Sequence, residues 1–115
     1  MTRKEELKAW QAIALDRYAD EDDPRETMKH DMEACATPTS LALGYYWAAK
    51  ELVQNGAFAC YYSQAEATLK DIYGESYDAT RYYNKDGSLK YKNGQAYIWT
   101  IYVHKMAQAI SKLYE

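Results

Sequence analysis

The side chains best suited to chemistry in this sequence are two histidines and two cysteines. His30 has Glu26 four residues before it and Glu33 three residues after it, a spacing that places all three on one helix face. Imidazole and carboxylate groups bind metals, but a structural metal site needs about four ligands. No second cluster of such residues is present. The sequence therefore predicts no metal site, and His30 is expected to be an exposed histidine beside helix acids.

The other histidine and the cysteines give no catalytic pattern. His104 lies on a predicted helix, where a lone histidine is more often a boundary residue than a general base. Cys35 and Cys60 form no CxxC pair and have apolar neighbours, which favours inert packing. Phosphate-binding glycine loops, dinucleotide fingerprints, zinc-protease motifs and serine-hydrolase motifs are missing from the sequence. We therefore expect no enzyme activity and no cofactor.

The segment 81–92 alternates cations with aromatic rings, and this pattern has two interpretations. Its members are Arg81, Tyr82, Tyr83, Lys85, Lys90, Tyr91 and Lys92. Rings that stack on bases, beside cations that contact phosphates, would bind single-stranded nucleic acid. The same alternation arises in an ordinary hairpin with its rings inward and its lysines outward. We favour the ordinary hairpin, because the chain as a whole has a net charge of −3.

An acidic block spans the end of the first predicted helix, the loop after it and most of the second. Residues 16–33 carry eight acids and three bases, and the densest run is Asp20, Glu21, Asp22 and Asp23. The run is interpreted first as a solvated loop, since the helix dipole favours acids at a helix start. It is also typical of a surface that imitates nucleic-acid phosphates and fills a basic groove on another protein. A calcium loop is the weakest interpretation, because the alternating ligands and central glycine of an EF-hand are missing.

Aromatic composition points to a binding surface. The chain has 13 tyrosines, 3 tryptophans and a single phenylalanine. A tyrosine buries a large ring but needs a partner or water for its hydroxyl, so many of these rings are expected to be half-exposed. A thin core that cannot cover every ring is the alternative. The predicted partner-binding residues are Tyr45, Tyr46, Tyr61 and Tyr62, together with the acidic run Asp20–Asp23.

Hydrophobic spacing and capping residues predict five helices, over residues 3–20, 24–36, 37–55, 63–73 and 95–114. Asp23 and Pro24 form a helix start, and Asn55-Gly56 forms a helix end. Asp86-Gly87 between aromatic runs predicts a short β-hairpin at about 81–91. The predicted fold is all-α or mostly α: a single helical domain over 1–115, built as a small bundle of about five helices with the hairpin before the long C-terminal helix.

The last helix carries a seam at coiled-coil spacing. The seam residues are Trp99, Val103, Met106, Ile110 and Leu113. We interpret this helix as the central core helix. The alternative is a homodimer through a surplus apolar face.

Three functions are compatible with these observations. We favour a non-enzymatic protein-binding module, within which a phage or mobile-element inhibitor of a bacterial defence system (anti-CRISPR or antirestriction type) would block a nucleic-acid-binding effector. The alternatives are single-stranded nucleic-acid binding through segment 81–92, and sequestration of a small molecule or nucleotide in a pocket of tyrosine and tryptophan rings.

The start of the sequence is charged and no apolar run approaches the ~20 residues that span a bilayer, so we expect a cytoplasmic protein without a membrane partner.

Overall fold

The computed structural model describes residues 1–59 and 61–115. Within them lie six α-helices: α1 Arg3–Asp16, α2 Pro24–Cys35, α3 Pro38–Leu43, α4 Tyr45–Asn55, α5 Tyr62–Tyr73 and α6 Tyr97–Lys112. Two strands, β1 Tyr91–Lys92 and β2 Gln95–Ala96, form an antiparallel hairpin directly before α6. The predicted mostly-α fold with a short hairpin before the last helix is therefore confirmed. Cys60 lies outside the described residues.

Side chains cap the first two helices. The Thr2 hydroxyl accepts from the Glu5 N–H at 3.1 Å, and the Glu5 carboxylate accepts from the Thr2 N–H at 3.2 Å, which is a capping box. Asp23 accepts from the Glu26 N–H at 3.3 Å, with Pro24 at the first helical position. The start of α2 is the one that the sequence predicts.

The predicted helix 37–55 is wrong in one respect, because the structure divides it at Gly44. This residue has φ +120° and ψ 178°, a backbone conformation that is almost exclusive to glycine. It ends α3 and begins α4, so the two helices do not share one continuous face. Ala48 and Leu52 are buried, whereas Leu41 and Tyr45 are exposed.

The strand ladder lies later in the chain than the predicted hairpin. Tyr91 pairs with Ala96, and Lys92 pairs with Gln95. At the predicted position, about 81–91, there is one bridge, between Tyr83 and Leu89.

Turn geometry explains this shift. Asn93 and Gly94 have φ values of +55° and +78°, and two consecutive positive φ values suit the tight turns that match strand twist. Around Asp86-Gly87, only the glycine has positive φ. The Asp86 carboxylate there accepts from the Ser88 N–H at 3.0 Å, which stabilises a local turn instead of a longer ladder.

The chain divides into two compact units. The first comprises Met1–Ala59 and Val103–Glu115, and the second comprises Cys60–Tyr102. In the first unit the largest buried side chains are Trp10, Met28, Met32, Leu52, Phe58, Met106 and Ile110. In the second they are Leu69, Tyr82, Ile98 and Tyr102. The single domain over residues 1–115 stays a prediction.

The predicted seam of α6 is largely buried. Val103, Met106 and Ile110 are at most 3 % exposed, while Trp99 and Leu113 are half-buried. This burial fits the interpretation of α6 as a core helix, and the homodimer stays a prediction. In the part of the chain that the structure describes, no helix combines the length and the apolar character needed to cross a bilayer.

Candidate functional site

Large apolar side chains are exposed on both sides of Gly44. Leu41 is 45 % exposed, Leu43 61 %, Tyr45 37 % and Trp47 43 %, all at the junction of α3 and α4. We call these four residues the α3–α4 surface. Clustered exposed apolar side chains mark interaction sites more often than scattered ones do. The helix break separates Leu41 and Leu43, on α3, from the buried stripe of Ala48 and Leu52 on α4, whereas Tyr45 lies in the exposed first turn of α4 itself.

Neighbouring residues hold Trp47 in place. The Tyr46 ring meets the Trp47 ring edge-on, with centroids 5.5 Å apart and an interplanar angle of 85°. The Lys50 ammonium lies 5.3 Å from the Trp47 ring centroid, within cation–π range. Tyr46 is half-buried, and its hydroxyl lies 2.8 Å from Nδ1 of His104. Burial raises the pKa of Tyr46. Tyr46 is thus a half-buried residue that packs against Trp47, whereas the Trp47 indole itself is exposed.

Tyr114 links this surface to the start of α2. Its ring lies 5.9 Å from the Tyr45 ring, and its hydroxyl donates to the Arg25 carbonyl at 2.6 Å. The Arg25 guanidinium in turn donates to the Leu113 carbonyl. Burial raises the pKa of Tyr114 to about 12; the Arg25 charge opposes this shift and the nearby acids of α2 add to it.

The acidic run lies in the loop between α1 and α2. Asp20, Glu21, Asp22 and Asp23 are all exposed, and among the described residues none of them forms an ion pair. Asp23 is two residues from Arg25 and contributes to the raised pKa of Tyr114. Tyr114 therefore connects Tyr45 to Arg25, which follows the acidic run closely in the chain. For the calcium interpretation, the described residues contain no group of three acids, histidines or cysteines able to hold a metal.

Tyr61 and Tyr62 lie in the other unit. They are 83 % and 40 % exposed, and with Gln95 and Trp99 they line an open groove of about 380 Å³. Trp99 stacks on Tyr102, with centroids 5.5 Å apart and an interplanar angle of 20°. This groove is the aromatic pocket in the described chain that corresponds to the small-molecule hypothesis.

Two of the three tyrosines in the basic segment point inward. Tyr82 is only 4 % exposed, with ring centroids 5.7 Å from Tyr77 and 5.9 Å from Tyr97. The Tyr83 hydroxyl donates to the Glu66 carboxylate on α5, and this hydrogen bond raises the pKa of Tyr83 to about 12. Neither ring is free to stack on a base in this conformation.

The cations of the same segment contact ring faces or backbone, or are exposed. Arg81 lies 5.7 Å from the Tyr82 centroid, Lys92 lies 5.8 Å from the Tyr97 centroid, and Lys90 donates to the Thr80 carbonyl at 2.7 Å. Lys85 is exposed, and Tyr91 is 64 % exposed. The segment is not the predicted two-faced hairpin, because it forms a single bridge between Tyr83 and Leu89 and its strand ladder begins only at Tyr91. Tyr91 is its one exposed ring, so the nucleic-acid hypothesis depends on Tyr91 as the stacking residue.

Sequence reasoning missed Trp47, Leu43 and Tyr114. A signal for the first two was present, since Gly44 interrupts an apolar helical pattern, and an isolated glycine there marks a break. No local signal pointed to Tyr114, because its role depends on a contact with Tyr45 across most of the chain.

Comparisons with models of protein families, with curated proteins and with solved structures find no match.

Proposed function

We propose that this chain is a non-enzymatic protein-binding module whose partner covers the α3–α4 surface. The observation that carries the proposal is the exposure of Leu41, Leu43, Tyr45 and Trp47 around one glycine break. Covering apolar surface contributes roughly 25 cal/mol per Å². Tryptophan and tyrosine are also the side chains that most often dominate binding energy at protein interfaces.

Charge near this surface indicates the chemistry of the partner. Tyr45 packs on Tyr114, which is bonded to Arg25 at the start of α2, next to the exposed acidic run. A partner that covers both features would present an apolar pocket bordered by basic side chains. The groove of a nucleic-acid-binding effector has such borders, which supports the finer proposal of a defence-system inhibitor acting in the cytoplasm.

The test is capture of partners from a bacterial lysate by the tagged full chain, with and without nuclease. Three forms are compared: the unaltered chain, Trp47→Ala and the control Tyr91→Ala, which also removes an exposed ring but from the other unit. We expect a stoichiometric protein that survives nuclease, is retained by Tyr91→Ala and is lost with Trp47→Ala. Capture that survives Trp47→Ala, or that disappears with nuclease, contradicts the proposal.

A further arm tests the acidic run. In Asp20→Asn/Asp22→Asn the association rate with the captured partner should fall and depend less on salt, because exposed charges chiefly steer encounter. An unchanged rate would remove the acidic run from the interface and leave the α3–α4 surface alone.

A further inference from the structure

A groove borders α1 and the C-terminal half of α6, within the first unit. Its volume is about 420 Å³, and its lining residues are Arg3, Glu6, Leu7, Trp10, His104, Lys105, Gln108 and Lys112. This volume lies in the range of small-ligand sites. No residue of the α3–α4 surface lines it, so the groove is a different site from the proposed protein interface.

Positive charge dominates the groove. Three of its lining residues are cations and one is a carboxylate, and that carboxylate, Glu6, is paired with Lys105 at 2.9 Å. Lys112 forms an exposed pair with Glu115, a type of contact that holds its partners weakly. Within residues 1–59 and 61–115, Arg3 has no ion-pair partner. The Arg3 guanidinium is therefore available to pair with an anion, and Lys112 can exchange its weak pair with Glu115 for a contact with that anion.

Neutral donors complete the lining. Nδ1 of His104 lies 2.8 Å from the Tyr46 hydroxyl. In the tautomer where that hydroxyl donates to Nδ1, the proton lies on Nε2, which can donate to an anion. The Gln108 amide supplies further donors, while Leu7 and Trp10 form an apolar wall.

We propose that this groove binds a small phosphate-bearing anion. The planar guanidinium of Arg3 suits bidentate contact with phosphate oxygens, and Lys112 acts as a second point charge. Several cations and N–H donors around one small volume match an anion with three or more oxygens better than a single carboxylate. The half-buried Leu7 side chain provides an apolar contact for a substituent on the phosphate.

The test is to titrate the full chain with three separate probes: inorganic phosphate, adenosine monophosphate and adenosine. Binding is monitored by ¹⁵N NMR at low ionic strength. We expect saturable shifts at the Trp10 indole and the His104 ring with both phosphate-bearing probes, and none with adenosine. Tighter binding of the monophosphate than of phosphate would identify a phosphate ester, and equal binding would identify the free anion. Shifts with adenosine alone, or no saturable shift with either phosphate probe, would overturn the proposal.

Matched variants separate a built site from general charge attraction. Arg3→Gln/Lys112→Gln should weaken phosphate binding roughly tenfold or more, because charge-assisted hydrogen bonds are lost. Lys4→Gln/Lys8→Gln removes the same charge from exposed positions of α1 that do not line the groove, and should leave affinity unchanged. Amide dispersion confirms that each variant is folded. Equal weakening in the two variants, or binding of an acidic peptide without binding of phosphate, would contradict the proposal.

Discussion

The rings of Tyr45 and Tyr114 pack against each other with centroids 5.9 Å apart and an interplanar angle of 48°. Tyr45 is the first residue of α4, and Tyr114 follows the end of α6. Because the Tyr114 hydroxyl also donates to the Arg25 carbonyl, one side chain joins the exposed apolar surface to the start of α2. The position of Tyr45 therefore depends on the C-terminal segment.

Tyr114→Phe keeps the ring contact and removes the hydrogen bond to Arg25. We expect it to lower the free energy of unfolding by about 1 kcal/mol, the typical net value of one hydrogen bond. Urea denaturation measures the change. The control Tyr91→Phe removes a hydroxyl from a ring that is 64 % exposed and should stay within about 0.5 kcal/mol of the unaltered chain. Identical stability of Tyr114→Phe and the unaltered chain would show that the hydrogen bond from Tyr114 to the Arg25 carbonyl does not stabilise the C-terminal segment.

Gly44→Ala places a side chain at φ +120°. No atom lies within 4 Å of the added Cβ, so the cost is one of backbone conformation alone, about 1–3 kcal/mol. Thermal or urea unfolding measures it. A variant as stable as the parent, with increased helix content by circular dichroism, would mean that α3 and α4 can fuse and that the break is optional.

Tyr83 should lose its proton at a higher pH than an ordinary tyrosine. Its hydroxyl donates to the Glu66 carboxylate, and this hydrogen bond raises the pKa of Tyr83 to about 12. A raised pKa in the folded state stabilises the fold below the ordinary tyrosine value of 10.0, and this stabilisation is lost as the pH rises through about 12. Tyrosinate absorbance is the measurement. Glu66→Gln should bring this transition back toward 10, whereas Tyr83→Phe should delete it. An unchanged titration curve in Glu66→Gln would contradict the assignment.

His104 should titrate below the ordinary histidine value of 6.5. Burial is the main cause, followed by the charges of Lys105 and Lys50. Tyr46 contacts the ring, and Arg3 and Glu6 line the same groove.

The direction of this shift sets its effect on stability. A depressed pKa stabilises the fold above the ordinary value, and the stabilisation is lost as the pH falls through the depressed value. A pH titration of the His104 ring by NMR should show Lys105→Gln raising the pKa, because a repelling charge is removed. A lower His104 pKa in Lys105→Gln would contradict the assignment, because the Glu6 carboxylate left without its partner would also raise this pKa.

Local signals predicted much of the helical fold. Asp23 and Pro24 located the start of α2, and the spacing of Val103, Met106 and Ile110 identified the core face of α6. These signals act over one or two turns, where capping and periodicity decide structure. The break at Gly44 and the ladder around Asn93-Gly94 were missed although each had a local signal, since an isolated glycine can mark a helix break and Asn-Gly favours a tight hairpin turn.

The candidate site was predicted only in part. Tyr45 and the acidic run were identified separately, from exposure-prone residue types, and nothing local indicated that Tyr114 connects Tyr45 to the start of α2. Tyr82 and Tyr83 were named as contacts of a possible nucleic-acid surface, yet packing on Tyr77 and Tyr97 and a bond to Glu66 direct them inward. Tertiary contacts of this kind decide which tyrosines are available for binding, and residue type alone does not show them.

The affinity of Trp47→Ala for the partner captured by the unaltered chain tests most directly whether the α3–α4 surface is the interface. Removal of Trp47 also removes its contacts with Tyr46 and Lys50 and should cost about 1–2 kcal/mol of stability, so circular dichroism first confirms that the variant is folded. If the α3–α4 surface is the interface, the dissociation constant should rise roughly 30-fold or more, the effect of losing about 2 kcal/mol at a binding hot spot. Tyr91→Ala should bind normally. Unchanged affinity in a folded Trp47→Ala chain would contradict the account.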